Sequence, residues 1–356
     1  MRTIVALVGA CLVTTAFGGA APPPRQELQR QADRLVRSSD IPAVVVLVER
    51  DGRRTIVAAG LADRARRVPA RPGSRFWVGS ITKSFVAVVV MQLVAEGVVG
   101  LDDRVERWLP RTLRAGSRVR VRQLLNHTSG IPDYMGLDLW SSAIASNSRA
   151  VIAPERLIAA AGKLPLDFEP GSQASYSNTN YLILGEIAER ATRAPLARAL
   201  RNRIFEPLGL RATAYESGDA RIMRPRMHGY DLRGSRPRDV THERLGGPWA
   251  DGAIVSSARD LAVFFGAVLR GKLVPPRLVR LMTMIVPGSH GEGLGLYRLG
   301  SPCGRVFFGH TGGTPGQITF AAGSRDARRM FVLSVNGVSP PAIAAMGRFL
   351  DELLCA

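Results

Sequence analysis

Lysine is almost missing from this chain. Of its 48 lysine and arginine residues, only Lys83, Lys163 and Lys272 are lysine. Arginine serves nearly every basic position, so a lysine suggests a place where an amine must be able to lose its proton, which a guanidinium does not do. Aromatic residues are scarce too, at 6%, and few of them stand among the arginines. The arginines are scattered (Arg64, Arg66 and Arg67; Arg111 to Arg122; Arg221 to Arg238) rather than gathered in one dense run. That argues against nucleic acid as a partner. Beyond the first residues no apolar stretch is long enough, without charges, to cross a bilayer, so no transmembrane anchor is expected. Internal repeats, low-complexity tracts and any Gly-x-Ser-x-Gly are also absent. Solenoid arrays and Ser-His-Asp hydrolases of the nucleophile-elbow kind are thereby set aside.

What is present fits a globular protein. At 356 residues and 46% hydrophobic, the chain has room for one large domain or two ordinary ones. Its formal net charge of +19 suits a surface that meets anionic cell-wall polymers or lipid headgroups. Met1-Arg2, the apolar stretch Ile4 to Ala16 and the small residues Gly18-Gly19-Ala20-Ala21 read as a secretory signal over residues 1–21, cleaved near Ala20 or Ala21. A secreted, extracytoplasmic protein is expected, with Cys11 discarded along with the leader. Cys303 and Cys355 remain, an even count in an oxidising compartment. A disulfide between them is the simple reading, and two separate buried thiols the alternative.

The order of elements sets the architecture. Gln26 to Ser38 carries an apolar stripe at helical spacing, with Leu28, Ala32, Leu35 and Val36. Ala43 to Val48 and Thr55 to Gly60, joined by Asp51-Gly52, read as a β-hairpin. Helical patterns dominate the middle, over Ser80–Glu96, Val121–Leu125, Tyr181–Thr192, Pro195–Ile204, Ala258–Leu269 and Pro276–Met284. Strands return at Arg305–Gly309, Gln317–Ala321 and Phe331–Asn336, before a last helix over Pro341–Leu354. The expected fold is α/β. An antiparallel sheet from both chain ends (residues 22–79 and 293–356), flanked by terminal helices, receives a large, mainly helical inserted region (residues 80–292).

Three stretches carry chemistry. In Gly79-Ser80-Ile81-Thr82-Lys83, an extended approach meets a helix start, which puts Ser80 in the first turn and Lys83 one turn on. Residues three apart share a helix face, so a neutral lysine there can remove the serine proton. Free N–H groups at a helix start can also hold an oxyanion. The plainer reading is an N-cap serine and a solvated lysine. In Ser175-Tyr176-Ser177-Asn178, before another helix, Tyr176 and Asn178 project the same way if the segment is extended. A phenol relays protons and an amide holds a peptide-like group, while a turn with Asn178 or Thr179 as cap is the plainer reading. Gly309-His310-Thr311-Gly312-Gly313-Thr314-Pro315-Gly316 ends one strand and, through a glycine-rich turn, begins another, so a ligand can approach its backbone closely. His127, in Asn126-His127-Thr128-Ser129-Gly130, reads as a residue that satisfies local backbone groups after a helix.

Taken together, Ser80-Ile81-Thr82-Lys83, Tyr176-Ser177-Asn178 and His310-Thr311-Gly312 resemble, in order and separation, the motifs of the serine penicillin-recognising enzymes. The likeness is to the secreted actinomycete D-alanyl-D-alanine carboxypeptidases and their class C β-lactamase relatives, and it runs from about residue 28 to 354. Val121-Arg122-Gln123-Leu124-Leu125 before the His127 stretch, Gly293-Leu294-Gly295-Leu296, and the cysteine placement, which in the carboxypeptidase branch is bridged, support it. The resemblance implies that Ser80 forms an acyl-enzyme, with Lys83 and Tyr176 sharing the proton transfers. It implies an oxyanion hole from the N–H groups of Ser80 and Gly313. Asn178 would orient the substrate amide, His310 to Gly312 would bind the acyl side, and Thr311 would assist a carboxylate. No metal or organic cofactor is implied, and a monomer is expected.

The carboxypeptidase branch also places a threonine directly after His-Thr-Gly, where this chain has Gly313, with Thr314 one later. Its upstream arginine falls at Tyr297, with Arg298 adjacent; the resemblance implies Arg298 and Thr314 as the residues that bind the terminal carboxylate, although one residue of slip in a strand reverses a side chain. The leading expectation is a D-alanyl-D-alanine carboxypeptidase acylated by β-lactams. An esterase or β-lactamase on the same residues, and a wall- or peptide-binding protein without turnover, are the alternatives.

Overall fold

The computed structural model describes residues 23–146, 151–216, 226–243 and 249–356. The expected leader, residues 1–21 with Cys11, lies outside them. Seven strands form one antiparallel sheet, built from both ends of the chain. We label them β1 (Ala43–Arg50), β2 (Arg53–Asp63), β3 (Val68–Pro69), β4 (Tyr297–Gly300), β5 (Val306–Thr314), β6 (Gln317–Ser324) and β7 (Arg329–Val335). Their order across the sheet is β3-β2-β1-β7-β6-β5-β4. The junction of the two chain ends is the β1–β7 pair, in register from Val44 opposite Val335 to Arg50 opposite Arg329.

The β-branched run of β1 explains its central place. Every residue from Ala43 to Arg50 is buried. Ala43, Val45 and Leu47 face one apolar core, and Val44, Val46 and Val48 face the other. A strand covered on both sides reads as continuous apolar sequence, without alternation. One core lies under the terminal helices, α1 (Arg25–Ser38) and the C-terminal helix Pro340–Cys355. The other is larger and fills the inserted helical region. At its centre runs α2 (Thr82–Ala95), buried from Thr82 through Met91 and apolar on every side, as a helix enclosed by its neighbours must be. Beside it lie α3 (Asn178–Thr192) and α4 (Ala258–Leu269).

Two features differ from the sequence expectation. Short strand pairings also tie the inserted region to the chain ends: Arg75–Trp77 and Ala214–Tyr215 flank Ile254–Ser257, and Tyr230–Asp231 joins Arg238–Asp239 and Gly337–Val338. Strands of two to four residues are too short to display a two-residue period. In addition, β5 continues through the glycines to Thr314, where a turn after Gly309 was expected. Glycine lowers strand propensity, but pairing with β6 from Phe307 opposite Ser324 to Thr314 opposite Gln317 supplies the ladder. The turn is left to Pro315-Gly316.

Cys303 and Cys355 are bonded, with Cα atoms 5.7 Å apart. The bridge fastens the end of the last helix to the segment before β5. No helix among the described residues is long and apolar enough to cross a membrane.

Candidate active site

Ser80 owes its position to glycine. Gly79 has φ +53°, a left-handed conformation that turns the chain from the strand Arg75–Trp77 into a short 3-10 turn over Gly79–Ile81 and then into α2. The same turn lies directly against β5. A methyl group on Gly79 would come within 2.5 Å of the Gly313 oxygen, and one on Gly312 would overlap the Val78 carbonyl oxygen. Only backbone fits between them. Ser80 and Gly313 therefore line one cleft, so both can present N–H groups to a single oxygen.

Lys83 is fully buried inside α2. Its Nζ lies 3.1 Å from Ser80 Oγ, 2.8 Å from Asn178 Oδ1 and 2.9 Å from the Asp251 carbonyl oxygen. Two of these partners, an amide oxygen and a backbone carbonyl, can only accept. A neutral amine has two N–H groups and one lone pair. With both N–H groups taken by the pure acceptors, the remaining valence faces the Ser80 hydroxyl, the arrangement that lets an amine receive a serine proton.

Both acceptors are themselves held. Asn178 opens α3, after Ser177 in extended conformation. Its Nδ2 donates to Asp133 Oδ2 at 2.8 Å, which turns Oδ1 toward Lys83. Asp251 accepts from the Tyr134 hydroxyl at 2.7 Å and from the Trp249 N–H at 3.2 Å through its carboxylate. Burial raises the Asp133 carboxyl above the usual range, partly offset by the N–H of Met135 and the Asn178 amide. Burial also raises the Tyr134 phenol well above its ordinary value, with Asp251 adding to the effect.

Tyr176 is brought near but not bonded. Lys83 Nζ stands 5.0 Å from its ring centroid, and its ring packs on His127 at 4.4 Å between centroids. His127 corrects its expected local role. Its Nδ1 accepts from the Ser177 N–H, fifty residues away, at 3.2 Å, so it braces the Tyr176–Asn178 segment from behind. Burial, with Lys83 and His310 adding, holds the His127 imidazole well below its ordinary value.

His310 is buried in β5, with Tyr297 edge-on against it at 4.8 Å. Its Nδ1 meets the Thr311 carbonyl oxygen. A carbonyl only accepts, so Nδ1 carries the proton, which leaves Nε2 with the acceptor lone pair. Burial pushes His310 down to about 3, opposed by the Thr311 contact and aided by Lys83. Thr311 and Gly313 are exposed on the strand and Gly312 is buried; Thr314 lines the cleft with Gly313. Arg298 is not brought in. It is exposed on the edge strand β4, opposite Phe308, and does not line the cleft.

The cleft encloses about 110 Å³ beside Ser80. Trp77, Met135, Val240 and Pro315 give it apolar walls, and Glu216, Glu243 and Asp251 bring carboxylates. Gln317 closes one side by accepting from the Trp77 N–H at 2.9 Å and donating to the Met227 carbonyl at 2.7 Å. Sequence reasoning missed Asp133, Tyr134 and Asp251. Asp133-Tyr134 lies three residues beyond the Asn126–Gly130 stretch already singled out, so a signal for them was near at hand. Asp251 acts through its carbonyl, which any residue type possesses. Among the described residues no group of three or more His, Cys, Asp or Glu is placed to hold a metal ion.

Comparison with known proteins bears on this geometry. A D-stereospecific amidohydrolase from Streptomyces sp. is similar in structure, with a TM-score of 0.79 and 33% identity over 91% of this chain and 98% of that one. Penicillin-binding protein 4* of Bacillus subtilis is 28% identical over 78% of this chain, and esterase EstB of Burkholderia gladioli 35% identical over 60%. The matched regions span 64% and 57% of those two proteins. A family model described as Beta-lactamase matches residues 28–355, nearly all of the chain, which therefore belongs to that family of serine-type hydrolases.

Proposed function

We propose that this protein is an amidohydrolase that acts on a D-configured acyl donor through an acyl-enzyme at Ser80. Ser80 Oγ attacks the scissile carbonyl while Lys83 takes its proton. The N–H groups of Ser80 and Gly313 receive the oxyanion. The C–N bond then breaks, and the proton passes to the leaving amine, with Tyr176 beside Lys83 as the relay. Water cleaves the Ser80 ester, giving one proton through Lys83 to Ser80 and leaving the free acid. In this reading Asn178, engaged with Asp133, serves Lys83 rather than the substrate amide.

The lining of the cleft carries the choice of substrate. Glu216, Glu243 and Asp251 line it, with Glu243 also paired to Arg238, whereas Arg298 is exposed on β4. Carboxylates in the cleft lining disfavour a free substrate carboxylate there and favour an amide or an amino-terminal D-residue. The likeness to the D-stereospecific amidohydrolase over nearly the whole of both chains supports this reading. A second reading, a D-alanyl-D-alanine carboxypeptidase acylated by β-lactams, is favoured by His310-Thr311-Gly312 on the strand at the cleft edge and by the likeness to penicillin-binding protein 4*.

The test supplies D-phenylalanine amide, L-phenylalanine amide, a peptide ending in D-Ala-D-Ala and a p-nitrophenyl ester, and measures ammonia, free D-alanine and nitrophenol. Ammonia from the D-amide alone supports the first reading. D-alanine without ammonia moves the assignment to the carboxypeptidase, and nitrophenol alone moves it to an esterase. An extracytoplasmic location is part of the proposal. The Cys303–Cys355 disulfide supports it, since such bonds persist in oxidising compartments. Recovery of the protein from culture medium with its amino terminus near residue 21 or 22 would bear it out; retention in the cytoplasm would refute it.

A further inference from the structure

Two adjacent residues, neither of them part of the Ser-x-x-Lys or Tyr-x-Asn motif, control both acceptors of Lys83. Asp133 binds the amide of Asn178, and Tyr134 binds the carboxylate of Asp251. The segment that carries them is clipped to the start of α3. Thr179 Oγ1 donates to the Pro132 carbonyl at 2.8 Å and accepts from the Tyr134 N–H at 2.8 Å. We infer that Asp133 and Tyr134 are positioning residues that fix the two acceptors of Lys83 and so aim its remaining valence at Ser80. The inference rests on the reading of Lys83 as the base for Ser80.

Asp133 must be a carboxylate for this purpose. Its Oδ2 accepts from Asn178 and its Oδ1 from the Met135 N–H at 3.1 Å. Both oxygens accept, so an asparagine here would set its own NH2 against one of those donors. The relief available is a flip of the Asn178 amide, which would present NH2 to Lys83 in place of the oxygen. The lysine would then lose one of its two pure acceptors, and its lone pair would no longer be confined to the Ser80 direction. Tyr134 acts on the other side. Its hydroxyl and the Trp249 N–H take one carboxylate oxygen each of Asp251, and this fixes the peptide whose carbonyl faces Lys83. Removal of the hydroxyl alone keeps the buried ring and releases half of that grip. Neither residue is required to touch the substrate for this purpose.

Single-turnover acylation by p-nitrophenyl acetate tests the inference without knowledge of the natural substrate. Burst amplitude counts competent sites, and the burst rate constant reports how well Lys83 serves Ser80. In Asp133→Asn and in Tyr134→Phe we expect the amplitude to be kept and the rate constant to fall, on the order of 10- to 100-fold, part of the roughly 10²- to 10⁴-fold that a positioned base contributes. The double variant should fall by less than the product of the single effects, because both act on one amine. Rate constants within twofold of wild type at full amplitude would overturn the inference. So would reduced amplitude with an unchanged rate constant, the signature of a structural role only. A wild-type protein without a burst that depends on Ser80 would instead remove the acyl-enzyme reading, and this inference with it.

Discussion

A buried neutral histidine next to a buried amine makes the site sensitive to acid at the scale of single residues. His310 is held down to about 3 in the fold, by burial first, against an ordinary 6.5 in the unfolded chain. Between those values the unfolded chain binds the additional proton. This contribution to stability is therefore complete above about pH 6.5 and is lost as pH falls toward 3. His127, also held low by burial, acts in the same direction. Melting temperature should drop steeply from pH 6.5 to 4, and His310→Gln should flatten that drop. An unchanged slope in His310→Gln would mean that the imidazole is not the group responsible. Over the same range His310 stays uncharged, so it adds no positive charge behind the cleft for a substrate carboxylate.

At the scale of elements, the contact between β5 and the turn that bears Ser80 decides whether an oxyanion hole can exist. Gly312 lets the strand lie against Val78, where an added methyl group would strike the carbonyl oxygen. Gly312→Ala should push β5 away and separate Gly313 from Ser80. Displacements near 1 Å can cost on the order of 100-fold in rate, and we expect acylation to fall by about that factor and the melting temperature to fall with it, because the clash is with backbone. Wild-type acylation would show that the strand relaxes without moving Gly313. This contact also marks how far the sequence could be read. Ser80, Lys83 and Asn178 were legible because local spacing on a helix or before one places them. The hairpin of β1 and β2 and the closing helix were legible from their runs and periodicity. The continuation of β5 through Gly312 and Gly313 was not, because pairing with β6, and no local preference, makes it a strand. Asp133, Tyr134 and Asp251 were hidden for a related reason. Their partners lie 45 residues or more away in the chain, and only the packed helical region brings them together.

For the molecule as a whole, both chain ends build one sheet and the inserted region is held against it. The joint is closed by β1 against β7 and, at the far side, by the bond between Cys303 and Cys355, which are 52 residues apart. Loop closure over that length contributes roughly 4 kcal/mol on the chain-entropy account. Reduction should lower the melting temperature by several degrees while acylation at room temperature persists, since the bridge lies outside the cleft lining. No change on reduction would mean that the C-terminal helix needs no fastening. The proposed reaction stands on one covalent event at Ser80, and rapid-quench intact mass after mixing with p-nitrophenyl acetate observes it directly. Wild-type protein should gain the mass of one acetyl group, mapped to the peptide that contains Ser80. Ser80→Ala should gain none, and Lys83→Arg should gain it at least roughly 100-fold more slowly. An adduct that survives in Ser80→Ala, or one that forms at the wild-type rate in Lys83→Arg, would contradict it.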